Sequence, residues 1–234
     1  MTTPPRTTPR RPVNRRSDRN ARGAALALVA GGAILAGCSG QASGTTIGLE
    51  RHMDFFSRET KQPAVIDPQM FIRTPGAPAG NGPQGIAHSA DFAPVREDAP
   101  PTTPLYGPDG TDLHVTLGTW EAAKGTVTLS CHAGKDTAKA TFDHLIASGV
   151  YSLFVVHLDA TTNATRFTPL GDTNTGAAGT DGRLRLTSSA PTCLDTREAV
   201  LAVWHSDGTA HGASPGTIGV TQHNALIAAV PARH

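Results

Sequence analysis

The residues best suited to chemistry lie in one short stretch, His205-Ser-Asp-Gly-Thr-Ala-His211-Gly. Imidazole nitrogens are the commonest neutral ligands for copper and zinc. A carboxylate such as Asp207 serves either as a ligand or as the group that orients one. Asp207-Gly208 is a turn signal, so the chain between the two histidines can fold His211 back towards His205. His144 follows Phe142 in register and His157 follows Val155, so both continue apolar faces at strand ends. A copper or zinc site on this pattern would use His205, His211 and Asp207, completed by His157, with His144, His114 and His223 as the other choices. If 138–144 and 149–157 form a hairpin, His144 lies near its turn and His157 ~26 Å along the strand, so those two cannot share an ion. The competing reading is structural: histidines at strand ends and in turns are commonly solvated or bonded to backbone.

Nucleophilic catalysis has less to stand on. The glycine-rich phosphate loops, the His-Glu-x-x-His zinc pattern and the Gly-x-Ser-x-Gly nucleophile turn are absent. His205 or His211 with Asp207 and Ser206 or Ser214 contains the residue types of a triad, but triads are defined by convergent geometry rather than by sequence proximity. Trp120, Trp204, Tyr106 and Tyr151 would suit a ligand surface, although aromatics on strands more often fill a core.

The elements that must position these residues have period two. Val127, Leu129 and Cys131 alternate with polar neighbours, as do Ala138, Ala140 and Phe142, and Leu184 and Leu186. Val150–Leu158 is apolar on both faces, which predicts a central strand; Ala199–Trp204 and Ala225–Val230 are similar. Gly107-Pro108-Asp109-Gly110, Asp181-Gly182, Asp207-Gly208 and Ser214-Pro215-Gly216 punctuate them. Seven or so short strands with such turns predict an all-β fold for residues 105–234, an antiparallel β-sandwich of immunoglobulin-like or cupredoxin-like type. Residues 38–104 are rich in Pro, Gly, Ser and Thr and read as a flexible, disordered tether. The clusters Met53-Phe55-Phe56, Val65-Ile66 and Met70-Phe71-Ile72 would dock weakly on the domain or form a strand.

The N-terminus is a targeting segment. Residues 1–22 hold seven arginines against Asp18, residues 23–37 are small and apolar, and Cys38 follows. The apolar run is shorter than the ~20 residues of a membrane-crossing helix. Leu35-Ala36-Gly37-Cys38 resembles the lipobox of bacterial lipoproteins. That resemblance implies removal of residues 1–37, a diacylglyceryl group on the Cys38 thiol, often an acyl chain such as palmitate on the new amino terminus, and residence on the extracytoplasmic face of the cell membrane. Two or more acyl chains suffice for stable anchoring. Arg15-Arg16 lacks the hydrophobic residues that should follow a twin-arginine export pair, since Ser17-Asp18 stand there.

Cleavage would leave thirteen basic and eighteen acidic residues, a net charge of −5 with neutral histidines. That balance lacks the basic footprint of a nucleic-acid binder and any polybasic stripe for anionic lipid. The remaining cysteines, Cys131 and Cys193, are expected to pair in an oxidising compartment, the bridge clipping a loop to the sheet.

Ile146-Ala-Ser-Gly-Val-Tyr-Ser-Leu-Phe154 and Trp204-His-Ser-Asp-Gly-Thr-Ala-His-Gly-Ala-Ser-Pro-Gly216 resemble β-sandwich domains of exported bacterial proteins. The resemblance implies fold and location but no activity. Superoxide dismutase-like and cupredoxin-like sandwiches also carry histidines at strand ends. This chain lacks the His-x-His ligands of the first and the Cys-His-Met cluster of the second, so neither chemistry carries over. The expectation is a lipid-anchored binding or structural module, with a copper or zinc domain as the alternative; its protein or metal partner stays open.

Overall fold

The computed structural model describes residues 44–158 and 165–233. The expected signal segment and Cys38 lie outside the described residues. In chain order the elements are β1 (Thr45–Arg51), α1 (His52–Glu59), β2 (Ile66–Arg73), β3 (Gly80–Asn81), β4 (Ala87–His88), β5 (Phe92–Arg96), β6 (Pro104–Tyr106), β7 (Asp112–Thr116) and α2 (Leu117–Glu121). They continue with β8 (Lys124–His132), β9 (Lys135–Asp143), β10 (Val150–Leu158), β11 (Thr165–Pro169), β12 (Thr175–Ala177), β13 (Leu184–Ala190), β14 (Glu198–His205) and β15 (Gln222–Ala229). The fold is all-β and antiparallel, as the alternation predicts. Among the described residues no helix is long and apolar enough to cross a membrane.

The main sheet runs β11-β10-β14-β15-β1-β8-β9-β13, with β12 also on β10. It curls so that its two halves enclose one core. Leu153, Val155, Val200, Ala202 and Trp204 from one half meet Val127, Leu129, Ala138, Ala140, Phe142 and Leu186 from the other. The edges draw close where β12 passes β13: a methyl group on Gly176 would lie 2.9 Å from the end of the Leu186 side chain, which would have to shift to admit it. A smaller sheet, β5-β2-β6-β7, packs beside the main one. Asp67 of β2 joins it to α2 from a fully buried position. Its carboxylate accepts from Trp120 Nε1 at 2.8 Å and from the backbone of Gln69 and Met70. Burial pushes the Asp67 carboxyl above the usual carboxylate range, against the pull of those hydrogen bonds.

Two expectations fail here. Residues 44–104 are not a tether. β1 lies between β15 and β8, pairing Glu50 and Arg51 with one and Thr45–Leu49 with the other, so it closes the middle of the main sheet. The apolar clusters are what order the segment: Met53, Met70 and Phe71 are fully buried, and Phe56 is nearly so. The Pro- and Gly-rich stretches are turns between paired strands. A boundary at residue 105 would also cut through β6. Nor is there a hairpin of 138–144 with 149–157. β9 pairs β8 and β13, whereas β10 pairs β11, β12 and β14, so the two strands belong to opposite halves of the sheet.

The disulfide forms as expected between Cys131 at the end of β8 and Cys193, with Cα atoms 5.4 Å apart. It ties the loop between β13 and β14 to β8, two strands from β13 in the same half of the sheet. Asp136 reinforces that tie: it is fully buried, accepts from the Leu194 backbone N–H at 2.7 Å, and holds both terminal nitrogens of Arg233 at 2.7 and 2.8 Å.

Candidate functional site

β14 ends at His205, and a tight turn follows in which Gly208 N–H donates to the His205 carbonyl at 3.1 Å. Gly208 takes φ +70°, a conformation that side chains disfavour, and Asp207 Oδ1 accepts from Thr209 N–H at 3.1 Å to hold the turn. The chain then returns as expected. The rings of His205 and His211 lie 5.4 Å apart, and His211 Nε2 is 3.1 Å from Asp207 Oδ2, off the hydrogen-bonding direction. Gly216 makes room for this: a methyl group there would meet His211 Cδ2 at 3.2 Å and Thr221 Oγ1 at 2.8 Å.

His205 is 1 % exposed. Its Nε2 lies 2.8 Å from Ser152 Oγ on the neighbouring strand, and that hydroxyl is 2.7 Å from Thr175 Oγ1. Burial, and then the neighbouring His211, lower the pKa of His205, so the imidazole is held neutral. His223 on β15 is fully buried against the Trp204 ring, 5.2 Å between centroids, with Nε2 3.2 Å from Ser206 Oγ. Desolvation takes its pKa down to about 4. Ser206 Oγ donates to the Val220 carbonyl, and Ser214 Oγ accepts from Gly216 N–H, so neither serine engages His205 or His211 as a triad requires.

His157 does not belong to this group. In the β10–β14 pairing Val150 faces His205 while His157 faces Glu198. Seven residues along a strand place His157 roughly 23 Å from His205. It is half-buried instead, with Nδ1 3.0 Å from Glu198 Oε1 and Nε2 3.1 Å from Thr168 Oγ1. His144 and His114 are exposed, and both backbones are left-handed, at φ +58° and +56°. Among the described residues no group of three or more His, Cys, Asp or Glu side chains is arranged to hold a metal ion. Of the four side chains expected to form a metal site, the structure gathers three and leaves His157 at the far end of the sheet. The aromatics fill the core: Trp120 and Trp204 pack 5.9 Å apart, and Tyr151 is buried, its hydroxyl accepting from Ile146 N–H.

Sequence reasoning missed a second group. His52, at the start of α1, is buried beside Asn224, whose Nδ2 lies 3.3 Å from His52 Nε2. Desolvation lowers the pKa of His52 to about 4. The eight residues of α1 are too few for a helical period to show, and the neighbours of His52 read as a loop cluster. The chain matches no protein-family model, and no curated protein matches its sequence.

Proposed function

We propose that the chain is a bacterial lipoprotein, anchored through lipid on Cys38 to the extracytoplasmic face of the cell membrane, and that its β-sandwich is a binding module. The observation that carries this reading is the Cys131–Cys193 bridge. Disulfides persist in exported proteins and are rare in the cytosol. The bridge agrees with the arginine-rich, apolar, cysteine-terminated leader at residues 1–38. The buried histidines favour a module over a hydrolase. His205 and His223 are desolvated and neutral, and their hydrogen bonds are used in holding strands together. The test is metabolic labelling with a clickable palmitate in a bacterial host that processes lipoproteins. The full chain should take label and partition with membranes, and Cys38→Ala should lose both. A membrane-bound, unlabelled wild-type chain would overturn the anchor.

A further inference from the structure

Period-two alternation gives β10 and β14 a second apolar face, turned away from the main core. Phe154, Val156, Ala199, Leu201 and Val203, with Ile227 of β15, form it. Phe55 of α1 and Phe167 of β11 pack against this face. Between helix and sheet lies a cavity of about 240 Å³ walled by Phe55, Phe56, Phe167, Leu201 and Ile227.

Its polar lining is His52, Glu59, Thr60, Gln84 and Asn224, and the hydrogen bonds of Gln84 and Asn224 determine which atom of His52 carries a hydrogen. The Asn224 backbone N–H donates to Gln69 Oε1, so the Gln69 amide is fixed, and Gln69 Nε2 donates to Gln84 Oε1. Asn224 Oδ1 accepts from Gln222 Nε2, which leaves Asn224 Nδ2 to donate to His52 Nε2. A neutral imidazole that accepts at Nε2 carries its hydrogen on Nδ1. That Nδ1–H is buried and has no hydrogen-bond partner among the described residues. His52 itself is 6 % exposed. Buried donors are rarely left unpaired, so this one, on a residue that lines the cavity, points to a guest with an acceptor.

Size and charge narrow the guest. At ≈ 30 Å³ per water-sized group the cavity takes roughly eight non-hydrogen atoms, the scale of one substituted ring. Three phenylalanine rings in the wall favour an aromatic guest through edge and offset contacts. Glu59 lines the same cavity and opposes an anion.

We propose that this cavity binds a small neutral aromatic molecule with one hydroxyl or carbonyl oxygen, the ring against Phe55, Phe56 and Phe167 and the oxygen accepting from His52 Nδ1–H. The proposal deepens the binding-module reading and rests on it, but it does not depend on the lipid anchor.

The test titrates p-cresol, p-xylene and benzoate into the full chain in buffer without detergent, followed by amide chemical shifts. p-Cresol should give saturable shifts confined to α1, β10, β14 and β15. p-Xylene lacks the oxygen and should bind about tenfold more weakly, the effect of one net hydrogen bond, and benzoate, an anion that meets Glu59, should also bind more weakly than p-cresol. Leu201→Phe should fill the cavity and abolish the shifts. His52→Phe keeps a ring in the wall and should bring p-cresol down to the level of p-xylene. Where either variant fails to fold, the p-cresol to p-xylene ratio on the wild-type chain decides. Equal binding of the two compounds, shifts that do not saturate or lie elsewhere, or binding indifferent to a folded Leu201→Phe would overturn the proposal. Palmitate labelling of Cys38 is read separately. Labelling without p-cresol binding sinks only the cavity, and binding without labelling sinks only the anchor.

Discussion

The strand pair β10–β14 is closed in different ways at its two ends. At the Val150–His205 end the buried polar groups are uncharged: His205 meets Ser152, Ser152 meets Thr175, and His223 lies under Trp204. At the His157–Glu198 end the groups carry charge. His157 meets Glu198, Glu198 Oε2 accepts from Asp195 N–H, and the adjoining loop and C-terminal segment are held by Asp136–Arg233 and by the disulfide. Both ends continue the same two apolar strands, so hydrophobic burial does not distinguish them. What differs is the agent that can open each one. Protons act on the first, and reductant or loss of a charge acts on the second.

Acid should produce the largest effect. His223 at the uncharged end, and His52 under α1 beside β15, have pKa values held down to about 4 by desolvation. Between about pH 6.5, where an unfolded histidine titrates, and about pH 4, the unfolded chain binds protons that the folded chain refuses. The stability these groups confer is therefore present above that window and is lost as pH falls through it. Each contributes up to about 1.4 kcal/mol per pH unit, or about 3 kcal/mol per unit for the pair. Asp67, raised by burial, works in the opposite direction at the acid end of the scale. Denaturant melts at closely spaced pH values should show the slope, and His223→Gln should remove about half of it. An unchanged slope would mean that His223 takes up its proton in the folded state.

The charged end should respond to redox state. Replacing Cys131 and Cys193 together by serine opens a loop of 62 residues and should cost about 4 kcal/mol on the chain-entropy account. The same variant should leave the acid slope untouched, because the histidines lie at the other end. Loss of both would show that the ends are coupled. Asp136→Ala comes next, at about 3 kcal/mol, because it strands the Arg233 charge and the Leu194 N–H. That is the low end for a buried pair, since the Arg233 side chain keeps 19 % of its surface exposed.

How far these ends could be read from the sequence differs in the same way. The strands themselves were legible, since period-two runs such as Leu184–Leu186 and the two-sided run Val150–Leu158 depend on local order alone. The disulfide was legible from the cysteine count and from the oxidising compartment that the N-terminal segment led one to expect. The return of His211 to His205 was legible because a four-residue turn decides it. Strand partnership was not. Whether β9 pairs β10 or β8 depends on contacts distant in sequence, and the false hairpin followed from that. The place of β1 in the sheet was hidden because TTIGLER is short and follows a run of small and polar residues, Ser39–Ser43, with little apolar alternation of its own. His157 looked like the partner of His205 because alternation records which face a residue takes, not which end of the strand it occupies.

The smallest expected effect tests the charged end at its most exposed point. In His157→Ala the ring leaves Glu198 and Thr168, yet the His157 side chain is 31 % exposed, and Glu198 still accepts from Asp195 N–H and keeps its carbonyl bonded to Val230 N–H. A half-solvated pair of this kind is worth about 0.5 kcal/mol, so denaturant melts at neutral pH should move very little. His205→Ala makes the matching probe at the other end. It removes a buried ring and leaves the Ser152 hydroxyl short of a partner, so it should cost several times more. If the two substitutions cost the same, the contrast between a desolvated and a charged end fails. If His157→Ala proves the costlier, the strand pair is held mainly by its charges, and the neutral imidazoles only fill space.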